Sequence, residues 1–255
     1  MLDLLRRMVE IESPSDDKAA VDRLGKFLAS EFARFGGKVT LHPQTAFGDH
    51  LQAEFSGSAN KPKPILLLGH FDTVWPLGTL KSMPFREEEG RAFGPGIYDM
   101  KAGITMMLFA LRALAFAGGE HRPVTVLLDT DEEVGSVTGR PLVEAVAKAC
   151  EAVLVLEPSQ GPQGHLKTAR KGVGDYTLHV RGRASHAGVD FEKGHSAILE
   201  LSRQIVEVAK FTDLARGITV NPGVVHGGTR TNVVAAEAWA EVDIRIARAA
   251  DAAEL

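Results

Sequence analysis

Uninterrupted apolar runs at "PILLLGH", "PVTVLLDT" and "AVLVLEP" punctuate the first part of the chain, bounded by Pro, Gly or an acidic residue. Runs of this length without polar alternation predict strands covered on both faces of a sheet. Segments with helical spacing separate them, "AGITMMLFALRALAFAG" after the first and "GRPLVEAVAKAC" after the second. Strands alternating with helices predict an α/β layer, a mainly parallel sheet flanked by helices. Upstream, "MLDLLRRMVEIES" reads as an amphipathic helix. "SPSDDKAAVDRLGKFLASEFARFGG" reads as a second, with a capping Ser, acids in its first turn and a closing glycine pair. Short strands are expected at "KVTLHP" and "LQAEFSG".

The pattern changes near residue 165. "VGDYTLHVRGR" reads as a strand, "HSAILELSRQIVEVAKF" as an amphipathic helix and "GITVNPGVVHGG" as a further strand. In "AEAWAEVDIRI" the even positions from Ala236 to Ile246 are apolar, while Glu237, Trp239, Glu241, Asp243 and Arg245 hold the odd ones. That is a half-buried strand with one polar face. A β-α-β-β order followed by the start of a helix, "ARAADAAEL", predicts an α+β sandwich that stops before a final strand. The expected division is an α/β domain over 1–166 and a smaller, incomplete α+β domain over 167–255.

Composition narrows the partners. The 255 residues are 44% hydrophobic and carry a formal net charge of -4 spread along the chain, with no basic stripe for nucleic acid or anionic lipid. Small-molecule partners are expected, and neither nucleic acid nor membrane. No apolar run is expected to reach membrane-spanning length, and the charged N-terminal helix does not read as a secretory signal. A cytoplasmic location is the default expectation. The single cysteine, Cys150, is expected as a buried thiol at a helix end.

Ligands of an open α/β sheet bind at the carboxyl ends of its strands, and each core strand here ends in residues that can hold a metal. The first ends in His70 and Asp72, the second in Asp131, Glu132 and Glu133, the third in Glu157. Between the first two, the Gly- and Pro-rich "GPGIYDMKAG" delivers Asp99 just before a helix. Alone, His70 reads as a hydrogen-bonded core histidine, Asp99 as a helix cap and the acidic trio as a solvated loop. Together on one rim, unpaired carboxylates would repel one another, and bound cations are the natural explanation. On an extended chain the side chains of residues 70 and 72 share a side, so Asp72 can support the imidazole.

The segments "GHFDTVWP", "GPGIYDMKAG", "TDEEVGS", "LEP" and "GRASHAG" together resemble the zinc metallopeptidase family of glutamate carboxypeptidase, aminoacylase, succinyl-diaminopimelate desuccinylase and acetylornithine deacetylase. The likeness is strongest to glutamate carboxypeptidase. It implies a zinc-peptidase-like catalytic domain into which a ferredoxin-like lid and dimerisation domain is inserted, truncated here at the C-terminus. It implies two zinc ions, with cobalt or manganese as possible substitutes. Asp99 would bridge them, His70 and Glu157 would complete one site, and Glu133 would serve the other together with a late histidine that the chain lacks. Asp72 would orient His70, and Glu132 would be the general base. His186, on the smaller domain, would reach across a homodimer to stabilise the oxyanion, while Asn232 and Arg245 would bind substrate. The Asp99–Met100 peptide bond is expected to be cis.

His186 and Arg245 have plainer alternatives. His186 reads as a surface histidine in a Ser/Gly loop, and Arg245 as a cross-strand ion pair. Arg170 and Lys171 in "TARKGVG" read as solvated hinge charges. The resemblance implies a hydrolase that cleaves an amide or peptide bond adjacent to a free carboxylate, by metal-bound water attack with a glutamate base, acting on a small peptide or an N-acyl amino acid. The alternative is a catalytically silent, metal-binding and dimerising fragment of such an enzyme.

Overall fold

The computed structural model describes residues 1–58, 60 and 63–254. They divide into two compact units, Met1–Gly161 and Pro162–Leu255.

The first unit begins with α1 (Leu2–Val9), whose Leu4, Leu5, Met8 and Val9 are buried, and α2 (Lys18–Arg34). Its helical start differs from the expectation. Asp17 caps α2, its side chain accepting from the Ala20 amide at 2.8 Å, and no acid lies in the first turn. The serines upstream of Asp17 are occupied elsewhere, as shown below. Strands β1 (Lys38–His42), β2 (His50–Phe55) and β3 (Ile65–His70) follow, then a hairpin of β4 (Arg86–Glu88) and β5 (Arg91–Phe93) that hydropathy did not announce. Its two-residue turn places Glu89 and Gly90 both at positive φ, the conformation of the tight hairpin turns that match strand twist. The rest of the unit comprises α3 (Ala102–Ala117), β6 (Val124–Asp129), α4 (Gly139–Ala149) and β7 (Ala152–Val155).

These strands form one five-stranded sheet in the order β1-β2-β6-β3-β7. It is mixed: β6, β3 and β7 run parallel, while β1 and β2 add on antiparallel. All six residues of β6 are buried, as a central strand covered on both faces requires. Leu24, Leu28 and Phe32 of α2 pack in one core with Leu51, Val126 and Leu128 of the sheet and Ile104, Met107 and Leu108 of α3. β7 departs from the expectation of a covered strand. Among the described residues it is a sheet edge paired to β3 alone, and its four residues are exposed.

The expectation that no apolar run reaches membrane-spanning length needs correction for the stretch Ile97–Ala117. By length and composition alone it is long and apolar enough to cross a membrane. The face bearing Ile104, Met107, Leu108 and Leu111 is buried in the core just described, which accounts for much of its apolar character. Cys150 closes α4 with its Sγ 3.3 Å from the Val146 carbonyl oxygen, and it is half-buried rather than buried.

The second unit holds β8 (Gly172–Arg181), α5 (Ala197–Ala209), β9 (Thr219–Gly227) and β10 (Glu237–Ile246). Its sheet is antiparallel in the order β8-β10-β9. The alternation read in "AEAWAEVDIRI" is realised. Ala238 and Ala240 pack against Ala197 and Leu201 of α5, while Trp239 stacks between His226 and His179, at ring distances of 5.1 and 6.3 Å. Pro222 sits in β9 beside a register shift opposite Glu241 and Val242. An edge strand tolerates the missing N–H. The final segment forms one short helical turn, Ala249–Ala253, tied by Asp251 to Arg216 at 2.6 Å.

Candidate metal centre

The site in the first unit is assembled at the carboxyl ends of the parallel strands. β3 ends at His70, β6 at Asp129, directly opposite it in the ladder, and Glu157 follows β7. Asp99 comes from the turn before α3. Two glycines allow these segments to approach. A Cβ at Gly69 would overlap the Cε of buried Met100, whose Sδ lies 3.3 Å from the His70 amide. Gly96 sits at φ 70, and a Cβ there would come within 2.6 Å of Thr73 Cγ2. The Asp99–Met100 peptide bond is cis, as expected.

His70 is buried and both its ring nitrogens are engaged. Nδ1 lies 3.1 Å from the Asp72 carbonyl oxygen and 3.2 Å from Asp72 Oδ1. Nε2 faces Asp99 Oδ1 at 3.0 Å, Glu157 Oε1 at 3.2 Å and Glu132 Oε2 at 3.8 Å. Burial alone would depress the proton affinity of this imidazole. Its contacts with Asp72, Asp99 and Glu157 outweigh burial and raise it far above the ordinary histidine range. These contacts favour the cationic ring, with an N–H on each nitrogen directed at a carboxylate.

The donor chemistry fits a divalent metal. Ligand atoms of His70, Asp99 and Glu157 lie within 4.8 Å of one another. One imidazole and two carboxylates form a three-residue set suited to zinc. The Asp99 side chain is 54% exposed and that of Glu132 49%, so the cluster is open to solvent on that side. Glu133 is not part of this donor set. Its backbone amide donates to Asp72 Oδ2 at 3.2 Å, and burial with the charges of Asp99, Asp72 and Glu132 pushes its carboxyl up to about 7 despite His70. Burial also raises Glu132 above the usual carboxylate range.

The remaining acids of the loop are structural. Asp131 binds the start of α4, accepting from the Thr138 amide at 2.5 Å, the Thr138 hydroxyl at 2.9 Å and the Gly139 amide at 3.2 Å. Asp129 accepts from Ser136 Oγ at 3.0 Å through Oδ2, while its buried Oδ1 has no partner among the described residues. Burial pushes its carboxyl from the ordinary 3.8 up to about 7. In the unfolded chain that proton leaves near 3.8, so stability should fall as pH rises from about 4 to about 7 and level off above. The full loss is on the order of 4 kcal/mol. Urea unfolding of the chelator-treated protein should show Asp129→Asn losing this much of the decline relative to the parent chain. Parallel pH profiles for the two would contradict the assignment.

Sequence reasoning missed Ser13 and Ser15, which it read as part of a helix start. The segment lies alongside the end of β3 through an isolated parallel bridge of Pro14 with Thr73. Ser13 Oγ donates to the Phe71 carbonyl and Ser15 Oγ to Asp72 Oδ2, each at 2.7 Å. It also missed Lys101, 1% exposed, whose Nζ donates to the carbonyls of Met8 and Ile11 at 3.1 and 3.0 Å and so fixes the Asp99 turn to α1. Burial lowers that amine to about 7 against the pull of Glu12.

In the second unit, His186 and Asn232 are brought together. His186 bridges Val233, and the Ala187 amide donates to the Asn232 carbonyl at 3.0 Å. His186 is exposed, and its Nδ1 accepts from the Gly188 amide at 3.1 Å. A backbone N–H can only donate, so the neutral ring carries its proton on Nε2. Arg245 does not join them. Its Nε lies 3.0 and 2.9 Å from the two carboxylate oxygens of Asp243, an ion pair within its own strand rather than across strands.

An α/β layer with a histidine and carboxylates gathered at its strand ends is an arrangement that can hold a metal ion. Residues 51–187 match Peptidase family M28, and residues 168–255 match a peptidase dimerisation domain of the M20 type. The chain belongs to the M20/M28 peptidase families. It is 33% identical over 250 residues to carboxypeptidase G2 of Pseudomonas sp. strain RS-16, covering 97% of this chain and 60% of that protein. Acetylornithine deacetylase of Proteus mirabilis is 25% identical over 269 residues, with 96% of this chain and 66% of that one covered. Among solved structures, aminopeptidase PepT from Bacillus cereus superimposes with a TM-score of 0.80 at 22% identity, over 99% of this chain and 68% of that one. The M20 family metallo-carboxypeptidase Sso-CP2 from Sulfolobus solfataricus gives 0.77 at 18%, over 96% and 70%. The chain thus spans about 60% of the length of its carboxypeptidase relative.

Proposed function

We propose that this chain carries the catalytic machinery of a metal-dependent hydrolase that cleaves an amide or peptide bond adjacent to a free carboxylate, releasing a C-terminal amino acid or deacylating an N-acyl amino acid. The observation that carries this reading is the convergence of His70 Nε2 with Asp99 and Glu157 beside a half-exposed Glu132. His70, Asp99 and Glu157 would hold the metal, which when bound polarises a carbonyl and acidifies water. Glu132 takes a proton from the attacking water and returns it to the leaving amine, and its raised proton affinity suits that exchange. Asp72 holds His70 in the tautomer that leaves Nε2 for the metal. His186, with its proton on Nε2, is an oxyanion donor. Asn232 is its neighbour in substrate binding. Arg245 would meet a substrate carboxylate only after sharing its guanidinium with Asp243. Residues 1–166 would form the catalytic domain, and 167–255 the lid through which a homodimer forms.

A specific observation favours a second reading, a metal-binding but catalytically silent module: Glu133, the residue for a second metal, stands outside the donor set. Metal analysis with an assay on N-acyl-glutamate and dipeptides separates the two. Zinc bound together with chelator-sensitive release of free glutamate or a C-terminal residue is the expected result. Zinc bound without turnover supports the silent module, and no zinc at all rejects the site.

A further inference from the structure

Asp72 is fully buried, so the position of its carboxylate is set by what donates to it. Oδ1 takes the His70 imidazole at 3.2 Å, while Oδ2 takes the Ser15 hydroxyl at 2.7 Å and the Glu133 amide at 3.2 Å. The Ser15 contact is the shortest of the three. Ser15 has one hydroxyl proton and two acceptors within reach, Asp72 Oδ2 and, at 3.5 Å, the Thr73 carbonyl. The difference of 0.8 Å assigns the proton to Asp72. Nor is Ser15 needed as a helix cap, because Asp17 does that work. The strap bearing it is anchored on its own account. Ser15 N donates to the Thr73 carbonyl at 3.2 Å, Thr73 N to the Ser13 carbonyl at 2.8 Å, and Ser13 Oγ to the Phe71 carbonyl.

We infer that Ser15 is a positioning residue for the metal-binding imidazole, acting through Asp72 and resting on the reading of His70 as a ligand. The hydroxyl fixes Oδ2, which fixes the plane of the carboxylate, and Oδ1 in turn fixes the ring so that Nε2 points at Asp99 and Glu157. Two consequences follow. Without the hydroxyl, Asp72 loses its shortest donor and can turn about its side-chain bond. The carboxylate also becomes a stronger base toward the Nδ1 proton of His70, because a charge-assisted donor no longer stabilises its charge. Ser13 provides an internal control. It is as buried as Ser15, belongs to the same strap and makes a hydrogen bond of the same length, but that bond goes to a backbone carbonyl and not to Asp72.

The test compares Ser15→Ala and Ser13→Ala with the parent chain by two measurements. Zinc affinity is read by competition with a chromophoric chelator, and the His70 Nδ1 proton is read by NMR of the metal-free protein, assigned by its loss in His70→Ala. Supporting partners of metal-bound histidines are worth 10- to 100-fold in affinity as a rule. Acting one contact further out, Ser15→Ala should weaken zinc by about 10-fold, the lower end of that range, and move the Nδ1 proton resonance, while Ser13→Ala should leave the resonance in place and affinity within about twofold. An unmoved resonance in Ser15→Ala, or equal losses of affinity in the two variants, overturns the inference. If the parent chain binds no zinc, the reading of His70 as a ligand fails. The resonance in the metal-free protein still decides whether Ser15 positions the ring.

Discussion

His70→Ala is expected to abolish tight zinc binding, with a loss larger than the 10- to 100-fold typical of supporting residues, because it removes a metal donor outright. The contacts of the ring add a second signature. Asp72 at Nδ1, with Asp99 and Glu157 at Nε2, raises the proton affinity of the His70 ring well above the ordinary range, so a cation that binds Nε2 must displace a proton. Zinc binding at neutral pH should therefore release a proton, measurable by calorimetry in buffers of different ionisation enthalpy. As pH falls, proton and metal compete more strongly and affinity should drop. In His70→Ala any residual binding to the carboxylates should lose this release. The variant also deletes a buried ring between Asp72 and the acidic cluster, so its fold must be checked by circular dichroism. A properly folded His70→Ala chain that retained parental zinc affinity would remove His70 from the site.

The parts of this arrangement that were legible in the sequence are those written in local pattern. Apolar runs located β3 and β6, because a central strand has no polar face to interrupt it. Strict alternation located β10, because Ala238 and Ala240 face α5 while Trp239 does not. The site was legible where strand ends coincide with ligand-type residues, His70 with Asp72 and Glu157 after β7. What stayed hidden depends on contacts between segments distant in sequence. Ser15 and Asp72 are 57 residues apart, and a serine before a helical run looks like a cap until Asp17 is seen to fill that place. Asp131 resembled its neighbours Glu132 and Glu133, but its shorter side chain turns back onto Thr138 and Gly139. The run "AVLVLEP" looked like a covered strand because hydropathy reports burial in a sheet without saying whether the strand lies at its edge. Arg245 could be read as a binder of a substrate carboxylate or as half of a cross-strand ion pair. Asp243, two residues along the same face of the strand, already engages it.

Glu132→Gln should separate chemistry from metal binding. Gln has nearly the shape of Glu but cannot accept a proton at neutral pH, so hydrolysis should fall by about 10² to 10⁴, the usual contribution of a general base. Zinc affinity should change little, since Glu132 Oε2 stands 3.8 Å from His70 Nε2 and outside the three-residue donor set. Removing one negative charge from beside Glu133 should also lower that carboxyl from its value of about 7, because Glu132 is among the charges that raise it. The measurement is a paired one, chelator competition for metal and release of free amino acid from an N-acyl substrate. If the fall appears in kcat while KM holds, the carboxylate acts in the transition state rather than in binding. Unchanged turnover would remove Glu132 from the mechanism, and a parallel collapse of zinc binding would instead make it a ligand. The contrast with His70→Ala is the point of the pair. One variant should bind metal and not turn over, the other should not bind, and only a site in which ligand and base are different residues gives both results.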